Sequence, residues 1–142
     1  MLKITHVAPL PEYRLRVSLN NRNTIEPSIA EYLDVPGYET LRDQFDQVQV
    51  DEWGHGVEWP GDIGIPVSAL YRLAKEQAGT AWPVEHFNRW MHANGLSAAA
   101  AAKALGLTRR TIIYYHTGAK PIPLTVGLAC LGWETQQQAK AA

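Results

Sequence analysis

The stretch Leu96-Ser97-Ala98-Ala99-Ala100-Ala101-Ala102-Lys103-Ala104-Leu105-Gly106-Leu107-Thr108-Arg109-Arg110-Thr111-Ile112 limits what this chain can fold into more than any other. Ser97 can cap a helix at its amino end, and Gly106 can end that helix in a left-handed turn. Thr108 can cap the next helix, which runs to about His116 before Thr117-Gly118. The pattern is that of two helices crossing steeply over a tight turn. Ala102 is small where they approach, Leu107 plugs the angle between them, and Ile112 buries the second helix. At about 100° per residue, Ile112, Tyr115 and His116 turn inward, while Arg110 and Tyr114 share the opposite face.

The flanking segments keep helical spacing. Pro83 can open a helix with Phe87, Trp90, Met91 and Asn94 on one side, and Asn94-Gly95 ends it. After Pro121 and Pro123 a fourth helix is expected from Leu124 to about Trp133, followed by a frayed polar tail over 136–142. That fourth helix carries two apolar stripes: Leu124, Leu128 and Leu131, and Val126, Ala129, Cys130 and Trp133. One stripe can seal the helical unit; the other needs the front of the chain or a second copy, so a homodimer is expected.

Before Gly79 the period is different. Ile4 to Ala8 and Tyr13 to Leu19 are short runs of strand-forming residues, separated by Pro9 and Pro11. Tyr13, Leu15, Val17 and Leu19 alternate with Arg14, Arg16 and Ser18, as in a half-buried strand. Asn20 to Asn23 is turn chemistry, Thr24 to Glu26 a third strand, and 28–44 one or two helical turns. Val48 and Val50, then Val57 and Trp59, suggest a hairpin around Gly54-His55-Gly56 with Trp53 and Trp59 at its rim. Pro60-Gly61-Asp62 breaks the chain, and a helix beginning near Pro66 carries Val67, Leu70, Tyr71, Ala74 and Ala78.

Charge changes at the same place. The formal net charge of -1 hides seven Lys/Arg against twelve Asp/Glu in 1–79, and six against two in 80–142. The front is therefore acidic and the back basic, which suggests two modules, the second with an anionic partner. The expected fold is an α+β amino-terminal domain over 1–79, a small mixed sheet plus helix, followed by an all-α helix-turn-helix domain over 80–142.

Residues 84–134, with the caps, glycines and paired arginines quoted above and the trailing Leu131-Gly132-Trp133-Glu134, resemble the lambda-repressor/Cro-type helix-turn-helix family. The resemblance implies a DNA-binding domain whose second paired helix enters the major groove. Arg109, Arg110, Thr111 and Tyr114 are the base-edge candidates, and Ser97, Lys103, Thr117 and Lys120 the phosphate candidates. Two positions depart from the family: Ala98 stands where a polar residue is common, and His116 where Glu is frequent. At the front, Val57-Glu58-Trp59-Pro60-Gly61-Asp62-Ile63 and the helix containing Leu70-Tyr71 resemble the bacterial domain-of-unknown-function family 2442. That resemblance implies a small α+β architecture without an assigned chemistry.

Other classes fit less well. His55, Glu58 and Asp62 have no helical ligand spacing, Cys130 is a lone cysteine among apolar neighbours, and no phosphate-binding loop is present. The chain reads as a non-enzyme without metal or cofactor. No apolar run is long enough to span a bilayer, and MLKITHVAPL lacks the features of a signal segment, so the expected compartment is the cytoplasm. The expected function is a bacterial transcriptional regulator that binds double-stranded DNA. Two alternatives are an antitoxin-like module whose acidic front binds a protein, and a small-molecule binder floored by Trp53, Trp59 and Trp82.

Overall fold

The alternation from Arg14 to Leu19 becomes strand in the computed structural model, which describes residues 1–141. Strands β1 (Ile4–Leu10), β2 (Arg14–Leu19) and β3 (Thr24–Ile25) form one three-stranded sheet in that order. Strands β4 (Gln49–Val50), β5 (Gly56–Trp59) and β6 (Ile63–Pro66) form another. Every pairing among these strands is antiparallel, which corrects the expected mixed sheet. The cause is connection length: Asn20–Asn23 and Pro60–Asp62 are tight turns, far shorter than the crossover a parallel pair needs. Pro60-Gly61-Asp62 thus joins two strands instead of ending the sheet, with Gly61 and Asp62 both at positive φ. Pro66, which lacks an N–H, is accommodated because β6 is an edge strand.

Between the sheets the chain supplies a 3-10 turn at Ala30–Asp34 and a single helical turn, α1 (Leu41–Gln44). Helix α2 (Val67–Gln77) follows β6 directly and buries Leu70 and Leu73. Leu15, Val17, Ile29, Leu41, Val57 and Ile65 complete the core. Trp59 belongs to that core and not to a rim: it is buried, its Nε1 donates to the carbonyl oxygen of Phe45 at 2.9 Å, and its ring stacks on that of Phe45. Trp53 is the exposed tryptophan, at 68%.

The chain divides into two compact units, Met1–Gln77 and a second beginning at Ala78. The second holds α3 (Val84–Ala93), α4 (Ala98–Leu105), α5 (Arg109–Thr117) and α6 (Leu124–Ala141). Helix α6 does not stop near Trp133. Gln136, Gln137, Gln138, Ala139 and Lys140 contain no glycine or proline and are good helix formers, so the expected tail is helical through Ala141; Ala142 lies outside the described residues. No helix among the described residues is long and apolar enough to cross a membrane.

The second core gathers Phe87, Trp90, Ala101, Ala102, Ile112, Ile122 and Cys130. Burial pushes the Cys130 thiol up to about 12. The Trp82 indole packs against α6 at Gly127, while the backbone N–H of Trp82 donates to the carbonyl oxygen of Ile122 at 2.8 Å. A Cβ at Gly127 would stand 2.5 to 2.8 Å from three atoms of the indole. Gly127→Ala should therefore destabilise the second unit by about 1–3 kcal/mol in urea denaturation, as overpacking does. At Gly132 nothing lies within 4 Å of the added carbon. Gly132→Ala should instead stabilise by roughly 0.5–1 kcal/mol through helix propensity.

Candidate nucleic-acid interface

Helices α4 and α5 are joined by Gly106-Leu107-Thr108 alone. The Ser97 hydroxyl accepts from the N–H of Ala100 at 3.1 Å, closing the amino end of α4. Gly106, at φ +70°, ends it, and the N–H of Leu107 returns to the carbonyl oxygen of Ala102 at 3.0 Å. Thr108 Oγ1 accepts from the N–H of Thr111 at 3.1 Å and starts α5. Ala101, Ala102 and Ile112 are buried at the joint. Local chemistry therefore fixes both helix ends, and small apolar side chains set their approach.

The inner side of α5 is narrower than helical spacing suggested. Ile112 is fully buried, and Tyr115 meets Phe87 edge-to-face with ring centroids 5.8 Å apart. Burial raises the Tyr115 phenol above its ordinary value. His116, expected inward, is exposed. Helix α3 lies on the Tyr115 side, and Asn88 donates from Nδ2 to the carbonyl oxygen of His116 at 3.1 Å, holding the backbone there while the imidazole faces outward.

Arg109 and Arg110 are exposed in the first turn of α5, with Thr111 and Tyr114 half-buried. Arg110 Nε donates to Tyr114 Oη at 2.8 Å, and its guanidinium carbon lies 5.7 Å from that ring's centroid. Lys120 joins them: Nζ stands 4.4 Å from the centroid of the Tyr114 ring. Lys120, a phosphate candidate from the sequence, thus stands on the same face as Arg110 and Tyr114. Gly118, at φ +79°, turns the chain back so that the N–H groups of Ala119 and Lys120 both reach the Tyr114 carbonyl oxygen, at 2.9 and 3.4 Å. Thr117-Gly118 was the signal in the sequence, but cation–ring contact depends on side-chain direction, which spacing does not give.

The remaining candidates are separate. Lys103 is exposed on α4, and Ser97 is exposed at its cap. The Thr117 hydroxyl donates back to the Ile113 carbonyl oxygen at 2.7 Å, so its proton is engaged within the helix. Ile113, which periodicity left unassigned, is 40% exposed beside the arginines. Arg89 is paired with Glu85 at 3.0 Å, whereas Lys103, Arg109, Arg110 and Lys120 have no carboxylate partner among the described residues. The first turn of α5 contains no acid, and its two arginines stand at the positive end of the helix dipole. Unopposed cations there favour an anion arriving from outside.

The other constellations do not converge. His55 is exposed, with its N–H bonded to Asp51 Oδ1 at 2.9 Å, and Glu58 accepts from Gln49. Trp59 is core in the first unit, and Trp82 packs within the second on Gly127, His86 and Phe87.

The chain belongs to the family described as "Protein of unknown function (DUF2442)", whose model matches residues 4–76. It is also similar to a crystal structure from Nitrosomonas europaea ATCC 19718, of a protein named "Putative DNA Binding Protein". Identity is 39%, the similarity covers 94% of this chain and 87% of that one, and the TM-score is 0.62. A comparison with curated proteins finds no match.

The cap at Thr108 holds the turn that carries Arg109 and Arg110. Thr108→Ala removes an acceptor for the Thr111 N–H and should cost about 1 kcal/mol. Hydrogen exchange at residues 109–112 should accelerate, while that at Phe87 and Ile122 should change only as far as global stability does.

Proposed function

We propose that the chain is a sequence-specific DNA-binding protein, a cytoplasmic transcriptional regulator of helix-turn-helix type, in which α5 enters the major groove. One observation carries the reading: Arg109 and Arg110 project from the first turn of α5 without a carboxylate partner among the described residues, directly after a capped three-residue turn from α4. Basic side chains at the start of a recognition helix can contact guanine edges in the groove. The name of the Nitrosomonas europaea neighbour supports the same class. Arg109, Arg110 and Thr111 are the proposed base-edge residues, with Tyr114 beside Arg110 on the same face. Ser97, Lys103, Thr117 and Lys120 are proposed around them for the phosphates, with Ile113 as an apolar contact for a thymine methyl. No catalysis, metal or cofactor enters the proposal.

Selection from random duplexes followed by titration tests it. The full chain should enrich a palindromic site. Lys103→Ala should weaken binding to all sequences alike and lower the salt slope by about one counterion. Failure of the wild-type chain to enrich any sequence would contradict the regulator reading.

The proposal includes a homodimer. The stripe of Val126, Cys130 and Trp133 packs into the second core, while Leu124, Leu128 and Leu131 are 47%, 68% and 53% exposed. Leu124, Leu128, Leu131 and Thr135 follow the alternating four- and three-residue spacing of a helix-pairing seam. No charged residue lies on that seam, so a second copy can meet it without like-charge repulsion. Sedimentation at micromolar concentration should give twice the chain mass, and Leu128→Glu should give the monomer with its helix content kept. A monomeric wild-type chain would remove the dimer from the account.

A protein partner for the acidic front unit is the second reading. Trp53 favours it, because this exposed ring sits on a turn fixed by Asp51 Oδ1, which accepts from the N–H groups of Trp53 and His55 at 3.2 and 2.9 Å.

A further inference from the structure

Tyr114 sits between two cations that have no carboxylate partner among the described residues. On one side Arg110 bonds its hydroxyl through Nε at 2.8 Å; over the ring, Lys120 stands 4.4 Å from the centroid. The phenol is half-buried, and the backbone behind it is held by Ala119 and Lys120, whose N–H groups converge on the Tyr114 carbonyl oxygen. The ring is thereby fixed from behind while its hydroxyl stays in reach of Arg110.

A guanidinium can make a two-pronged contact in two ways, through Nε with one terminal nitrogen or through both terminal nitrogens. With Nε given to Tyr114, only the terminal pair is left. We infer that Tyr114 is a positioning residue that fixes Arg110 for end-on, two-pronged recognition of a guanine, and that it is not itself a base reader. This rests on the DNA-binding reading and refines it. Lys120 has a second role in the arrangement. Its charge over the ring restrains the phenol and sets a phosphate-seeking cation beside the reading arginine, so base contact and backbone contact share one support.

The test uses the full chain, its selected duplex, and the same duplex with the Arg110-dependent guanine replaced. Tyr114→Phe keeps the ring and both cation–ring contacts but loses the Nε bond. It should lower the preference for guanine at that position about 3- to 10-fold, the effect of one solvent-exposed hydrogen bond. Affinity for unrelated duplex and the salt slope should stay as in the wild type. Arg110→Lys keeps the charge without the fork; it should abolish the preference and keep the slope. Arg110→Ala should abolish the preference and lower the slope by about one. Circular dichroism of each variant should match the wild type, since both side chains lie outside the second core.

The outcomes separate two failures. If Arg110→Lys abolishes the preference while Tyr114→Phe leaves it intact, Tyr114 does not position the arginine and the inference is overturned, with DNA binding unharmed. If Tyr114→Phe lowers affinity for every duplex equally, the phenol acts on the phosphate backbone and the inference is again overturned. A wild-type chain that selects no sequence removes the DNA-binding reading and this refinement together.

Discussion

Phe87 is the residue on which the second unit depends. It is fully buried on α3 and touches the rings of Trp82, Trp90 and Tyr115 at centroid distances of 6.4, 5.7 and 5.8 Å. Through Tyr115 it sets which side of α5 faces the core. Through Trp82 it is tied to α6, where Gly127 leaves room for the indole. A short helix such as α4 or α5 is marginal alone, so its direction comes from packing more than from propensity. The outward placement of Arg110 and Tyr114 is thus the far side of an aromatic contact buried within the unit.

Much of this was legible in the sequence where chemistry is local. Ser97, Gly106, Thr108 and Gly118 each make one kind of backbone end, and all four do so here. The alternation of Leu15, Val17 and Leu19 with Arg14, Arg16 and Ser18 marked β2. What was not legible depends on partners distant in sequence. Periodicity placed His116 inward, but helical spacing gives two flanks to a buried stripe and only the position of α3 decides between them. Trp59 looked like a rim residue until Phe45, fourteen positions earlier, supplied its acceptor. β6 was missed because Pro60-Gly61-Asp62 stops a strand and turns a hairpin with the same residues.

The two units divide the chemistry between them. The family match covers residues 4–76, in the unit built from antiparallel sheets and rich in acids. Lys103, Arg109, Arg110 and Lys120, which have no carboxylate partner among the described residues, stand on α4, α5 and the turn that follows, within the other unit. Acidic charge on the first unit disfavours an anionic partner there, and the basic charge of the second favours one. On α6 of the same unit, Leu124, Leu128 and Leu131 form an exposed, uncharged seam.

The central claim is that α5 and the turn before it form the surface that meets DNA. Amide chemical-shift mapping of the full chain during titration with a selected duplex tests it most directly. The account predicts the largest changes at residues 108–114 and 118–120, smaller ones near Ser97 and Lys103, and little change on β1 to β6. Changes concentrated on the front unit, or spread evenly over both units, would contradict it.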